Sequence, residues 1–131
     1  MVYILYMKKM KQTYLIDASV QDVWEALVDP KIIHDWGAGP AKMSEKKEKF
    51  SLWDGDIYGV NTSVLTKKRL EQDWYAGHWD KPSKVIFELS EQDGKTAITL
   101  THTNIPDDEF DGIKSGWDEY YFGPIKELLE D

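Results

Sequence analysis

The spacing of apolar positions changes period along this chain, and the changes divide it into elements. Gln12 to Ile16 reads as a first strand. Ser19 followed by Asp22 has capping-box spacing, which opens a helix. Over VQDVWEALV, residues Val20, Val23, Trp24, Leu27 and Val28 fall on one helical stripe. Asp29-Pro30 closes that helix and opens a second, short one, because proline is accommodated at a first helical position. The second helix ends near Trp36-Gly37, and Gly37-Ala38-Gly39-Pro40 reads as a loop.

The period then shortens to two. AKMSEK (41–46) and EKFSLW (48–53) are candidate strands, and Asp54-Gly55 supplies a hairpin turn. Ile57 to Thr66 and Arg69 to Ala76 continue the strand-rich stretch, with a wider loop from Gly77 to Ser83. Lys84 to Ser90 sets Val85, Phe87 and Leu89 against Ile86, Glu88 and Ser90. Asp93-Gly94 makes a second hairpin turn, and in Thr96 to Thr103 the residues Ile98, Leu100 and His102 share a face. Such alternation predicts an antiparallel sheet with one side covered. After the loop IPDDEFD a last helix begins, with Ile113, Trp117, Tyr120, Tyr121, Ile125, Leu128 and Leu129 spaced by threes and fours. Two short helices after the first strand, about six or seven strands and one long C-terminal helix define an α+β architecture. Residues 11–131 read as one domain, preceded by an extension at 1–10.

The last helix contains Gly123-Pro124. Proline removes one amide hydrogen, so the carbonyl of Tyr120 loses its helical partner, and the ring forces a bend. A bent helix can follow a curved sheet at one end and stand away at the other, with Trp117, Tyr120 and Tyr121 roofing the gap. A dry, fully packed core is the alternative, since wedge-shaped rings serve that equally well.

Composition narrows the function classes. Six tryptophans and seven tyrosines in 131 residues suit a wide interior, filled or lined by rings. Sixteen basic residues against 24 acidic ones give a net charge of −8. That sign opposes nucleic-acid binding, which needs clustered positive charge; Lys8, Lys9 and Lys11, and Lys67, Lys68 and Arg69, read as solvated strand ends. The absence of cysteine excludes disulfides, thiolate nucleophiles and cysteine-ligated metals, and suits a cytoplasmic protein. No apolar run approaches the roughly 20 residues of a membrane span. The opening MVYILYMKKM lacks the order of a secretory signal and reads as a strand extension, or as an upstream start ahead of Met7 or Met10. Its VYILY segment is a candidate edge strand through which two copies would pair as a homodimer.

Catalytic patterns fail one by one. His34, His78 and His102 have no zinc-ligand spacing. His34 is expected at a helix end and His78 in the loop GHWDKP. His102 is expected on an inward strand face, as a hydrogen-bonded core histidine or a ligand contact. Asp54-Gly55-Asp56 starts like a calcium loop, but Tyr58 and Leu65 stand where oxygen ligands belong. No serine lies in a nucleophile elbow, and Asp107, Asp108, Glu109 and Asp111 read as charge favouring the start of the last helix. Gln72 shares a face with Leu70 and Trp74; if inward, it is a buried amide that satisfies an internal network or orients a ligand.

The segments VWEALVDP (23–30), FSLWDGDIYGVN (50–61), RLEQDW (69–74), TAITLTHTNIP (96–106) and GWDEYYFGPIKELLE (116–130) carry a resemblance. The chain resembles the SRPBCC (START-like) superfamily of helix-grip folds, and within it the homologue family of the activator of heat-shock-protein-90 ATPase, at that co-chaperone's C-terminal domain. The resemblance implies a curved antiparallel sheet gripping a long C-terminal helix, with a cavity between them, and a chaperone partner.

The resulting expectation is a non-enzymatic protein, without cofactor or metal, that binds a small apolar or amphipathic molecule between the sheet and the last helix. The candidate lining residues are Trp36, Phe50, Leu52, Trp74, Phe87, Leu100, Trp117, Tyr120 and Tyr121, with Gln72 and His102 as polar anchors. A protein-interaction module of co-chaperone type is the second expectation.

Overall fold

A computed structural model describes residues 7–77 and 79–130. Strand β1 (Met7–Ile16) is followed by helices α1 (Val20–Val28) and α2 (Pro30–Trp36). Five further strands follow: β2 (Lys49–Leu52), β3 (Ile57–Leu65), β4 (Arg69–Ala76), β5 (Ser83–Gln92) and β6 (Lys95–Pro106). One helical run then closes the fold in three pieces, α3 (Phe110–Gly116), a wide turn (Trp117–Phe122) and α4 (Gly123–Leu129). The strands form one antiparallel sheet in the order β1-β6-β5-β4-β3-β2. It is an α+β helix-grip architecture, with the helices on one face of the sheet.

The two short helices end as the sequence requires. The Ser19 hydroxyl accepts the amide of Asp22 at 3.1 Å, and the Asp29 carboxylate accepts that of Lys31 at 2.9 Å. Asp29 thus ends α1 and caps α2, and Gly37 closes α2 in the left-handed region at φ 112°. Val23, Trp24, Leu27 and Val28 are buried; Val20, at the edge of the stripe, is partly so.

Alternation along the central strands sets the core. Leu70, Gln72 and Trp74, then Val85, Phe87 and Leu89, then Ile98, Leu100 and His102 all face inward and are buried. Register aligns them across the sheet: Leu70 opposes Phe87, Phe87 opposes Leu100, and Val85 opposes both Gln72 and His102. Asp93 (φ 53°) and Gly94 (φ 81°) form the expected two-residue turn with both residues left-handed.

Four expectations need correction. The first strand starts at Met7, not Gln12, because β6 runs to Pro106 and pairs with it that far. AKMSEK is not a strand: only Lys42 bridges to Ser51, and the Asn61 amide draws the carbonyls of Ser44 and Lys46 inward at 3.1 Å each. Asp54-Gly55 is not a two-residue turn. Leu52 pairs with Ile57, so Trp53 to Asp56 form a longer helical turn at that end of the sheet.

The fourth concerns the last helix. Its irregularity is the wide turn before Pro124, where the Gly123 amide donates to the Asp118 carbonyl five residues back. A Cβ at position 123 would collide with that carbonyl oxygen, so glycine is required there by close approach. The wide turn is held from the sheet as well. Tyr14 of β1 donates its hydroxyl to Asp118 Oδ1 at 2.6 Å and stacks on Phe122 at 4.1 Å between centroids. The segment at residues 2–6, the candidate dimer strand, lies outside the described residues.

Candidate functional site

The wide turn presses its rings onto the sheet. Trp117 stacks on Trp74 of β4 at 4.7 Å, Tyr121 stacks on Phe87 of β5 at 5.8 Å, and Tyr121 meets Trp36 of α2 at 4.7 Å. Phe122, Phe87, Leu52 and Leu100 are fully buried, and Phe50, Trp36, Trp117 and Tyr121 nearly so. The helix therefore does not stand away from the sheet at its bend. Burying rings of this size is worth about 25 cal/mol per Å² of apolar surface, and an empty gap would forfeit that.

Beneath the rings run buried polar contacts in two chains. In one, Trp117 Nε1–H donates to His102 Nδ1 at 3.0 Å, and His102 Nε2 lies 2.8 Å from Ser83 Oγ. Indole is a donor only, so Nδ1 is the acceptor and Nε2 carries the proton toward Ser83. Burial holds the His102 pKa down at about 3, so the ring is neutral. In the other chain, Trp74 Nε1–H donates to Gln72 Oε1 at 2.9 Å, and Gln72 Nε2–H donates to Asn61 Oδ1 at 2.9 Å. Every fully buried side-chain nitrogen and oxygen among the described residues has a partner. His102 and Gln72 are thus satisfied internally, and Ser83, 1% exposed behind the indoles, is no accessible nucleophile.

The open space lies at one side of this core. The helical turn 53–56, the start of β3 and the end of β4 diverge from the last helix there, leaving a cleft of about 330 Å³. Its walls are Trp53, Asp56, Ile57 and Trp74 on the sheet side and Ile113, Gly116, Trp117, Tyr120 and Tyr121 on the helix side. Tyr120, 60% exposed, stands at the rim. The Tyr121 hydroxyl takes part in none of the internal side-chain bonds among the described residues, although its ring is 2% exposed. Burial raises its pKa well above the ordinary tyrosine value, so it stays protonated. A larger depression of about 530 Å³ along α1 mixes Lys31, Lys67, Glu25 and Glu45 and has no comparable aromatic wall.

Of the eleven residues expected at the site, Trp74, Trp117, Tyr120 and Tyr121 come together in the cleft wall. Trp36, Phe50, Leu52, Phe87 and Leu100 sit in the packed core behind it, and Gln72 and His102 in the polar chains that hold the indoles. Sequence reasoning missed Trp53, Asp56, Ile57, Ile113 and Gly116 as lining. Two signals could have found them. A tryptophan beside the Asp-Gly turn must project from the end of the sheet, and Ile113 and Gly116 precede Trp117 and Tyr120 respectively by about one helical turn.

Elsewhere the sites considered carry structure. His34 places its ring against Gly39, where a Cβ would collide with it, and His78 lies outside the described residues. Asp107 pairs with Lys8 at 3.0 Å on the surface, and Glu109 accepts the indole of Trp79 at 2.7 Å. Among the described residues no cluster of three or more histidines and carboxylates is placed to hold a metal ion, and no helix is long and apolar enough to cross a membrane.

A sheet wrapped round a C-terminal helix with an aromatic cleft between them defines a helix-grip domain of SRPBCC type. The chain belongs to the family described as activator of Hsp90 ATPase homolog 1-like protein, whose model matches residues 17–130. It is 25% identical over 121 residues to the mouse activator of 90 kDa heat shock protein ATPase homolog 2, covering 90% of this chain and 37% of that one. It is 36% identical over 87 residues to the Dictyostelium discoideum homolog, covering 63% of this chain and 22% of that one. The chain thus matches between about a fifth and little more than a third of the length of these curated relatives. Among solved structures it superimposes on an HSP90 activator from Plasmodium falciparum with TM-score 0.84, at 23% identity and over 92% and 94% of the two chains. An Aha1 dimer from Colwellia psychrerythraea matches with TM-score 0.81, at 17% identity and over 94% and 96% of the chains. These likenesses at low identity show the fold.

Proposed function

We propose that this chain is a non-enzymatic binding domain whose cleft takes a small apolar or amphipathic molecule. The observation that carries the reading is the cleft itself: about 330 Å³ walled by indole and phenol rings, with a core behind it whose polar groups are already satisfied. A pocket of this size lined by aromatics, with few polar groups, suits a ligand held by desolvation and oriented by one or two anchors. Tyr121 is the anchor on the helix side. Acid–base or nucleophilic chemistry lacks support among the described residues, because His102, behind the cleft wall, is locked between Trp117 and Ser83.

Native mass spectrometry of the protein isolated from its own cells tests this. The expected result is a bound mass that disappears in Gly116→Leu. A Cβ there meets only the Tyr120 ring at 3.8 Å, so the variant folds while its side chain grows into the cleft. A ligand-free spectrum, with no compound from a cell extract raising the melting temperature, contradicts the proposal.

The curated relatives motivate a second reading, action on a chaperone ATPase, since the yeast match is called an Hsp90 co-chaperone. The exposed ring of Tyr120 beside the cleft would then receive a side chain of the partner. Unchanged ATP turnover by Hsp90 in the presence of this chain, with no complex on a sizing column, removes that reading.

A further inference from the structure

The cleft wall also has a sign. We infer that its ligand is a cation, an organic amine or quaternary ammonium carrying an apolar group, and this rests on the reading of the cleft as a binding site. The argument starts from hydrogen-bond donors. Two of the three indoles in the wall have spent their N–H groups inward, Trp74 on Gln72 and Trp117 on His102. With those donors spent, the ring surface left to a ligand is that of Trp53, partly exposed, and Tyr120, 60% exposed, and a ring face is the negative part of the quadrupole. The planes are also set at angles to one another: Tyr121 lies at 67° to Trp53 and 58° to Trp117. Tyr121 and Trp117 touch each other at 4.7 Å between centroids, so a cation lies against the outer rings of Trp53 and Tyr120, whose faces attract it.

The charged group agrees. Asp56 is the charged side chain of the cleft wall; lysine, arginine and histidine are absent from the lining among the described residues. It arrives there because the turn between β2 and β3 spans Trp53 to Asp56 rather than two residues. The chain as a whole carries −8, so its field favours the approach of cations and opposes that of anions. An anionic ligand would meet a carboxylate and ring faces, with the Trp53 indole and the Tyr121 hydroxyl as its donors. A cation meets the opposite. The space is that of about eleven liquid waters, enough for one small substituted ring and its ammonium head.

The test uses the full chain and three probes of matched size: phenyltrimethylammonium, its neutral carbon isostere tert-butylbenzene, and benzenesulfonate. Binding is followed by the ¹H–¹⁵N signals of the indole groups of Trp53, Trp74 and Trp117. The expected result is that the cation binds about tenfold more tightly than the isostere and the sulfonate shifts none of the three signals. Asp56→Asn, an exposed position that keeps the fold, lowers the affinity of the cation about fivefold and leaves that of tert-butylbenzene unchanged. Equal or tighter binding of the neutral or anionic probe, or a cation affinity indifferent to Asp56→Asn, overturns the inference and leaves the cleft as an apolar site. Silence of all three indoles with every probe overturns the inference and the cleft reading together.

Discussion

The indole N–H of Trp117 points at Nδ1 of His102 across 3.0 Å, so a helix residue fixes the tautomer of a strand residue. That bond ties the wall of the cleft to the sheet and has a pH signature. Protonating His102 at Nδ1 would set two N–H groups against each other inside the core. The ordinary histidine pKa is 6.5 and the folded value about 3, so the unfolded chain binds the proton and the folded one does not. The contribution is full above pH 6.5 and is lost as pH falls toward 3, at up to about 1.4 kcal/mol per pH unit. Nitrogen NMR of the ring at pH 5 is expected to show neutral imidazole with the proton on Nε2. Replacing His102 by glutamine should flatten the stability profile between pH 6 and 4, as measured by urea unfolding.

Gln72 is tested by removing its amide while keeping its volume. Gln72→Met leaves the Trp74 indole N–H and Asn61 Oδ1 without their partner. Each orphaned buried group costs about 1–3 kcal/mol, so the variant is expected to lose about 2–6 kcal/mol in urea unfolding. A loss below about 0.5 kcal/mol would mean that the bonds contribute little net stability.

Gly123→Ala separates two accounts of the last helix by the sign of the effect. Helix propensity alone makes the alanine variant more stable by about 1 kcal/mol. The close approach of the Asp118 carbonyl makes it less stable, by about 1–3 kcal/mol, because the wide turn must open or reset. Thermal unfolding decides, with a drop of several degrees expected. A rise in the melting temperature would show that the glycine serves no contact.

Much of this fold is legible from periodicity. Strand β4 begins and ends at Arg69 and Ala76 as expected, and the inward faces of β5 and β6 follow from Val85, Phe87, Leu89 and Ile98, Leu100, His102. These positions alternate because one face of the sheet is covered, which is the condition that makes strands readable. The wide turn was hidden: its rings keep three- and four-residue spacing, while the backbone slips by one residue between Asp118 and Gly123. Its trace in the sequence is Gly123, which reads equally as an aid to the Pro124 bend. The cleft was half legible. Rings on the regular elements, Trp74 and Trp117, declare their faces, whereas Trp53 and Asp56 depend on a turn length that Asp54-Gly55 alone does not specify. Tyr120 fits the apolar stripe by spacing yet is exposed, because the wide turn rotates it outward to the rim.

Binding in the cleft is tested most directly by titrating 1-naphthol, a neutral aromatic, into the ¹⁵N-labelled protein and reading its six indole N–H signals, one per tryptophan. Saturable shifts are expected at Trp53, Trp74 and Trp117, with Trp24 and Trp79 unmoved, and Tyr120→Ala should weaken binding about fivefold. Shifts spread evenly over all the indoles, or none at any of them up to the solubility of the probe, would contradict a binding cleft beside the wide turn.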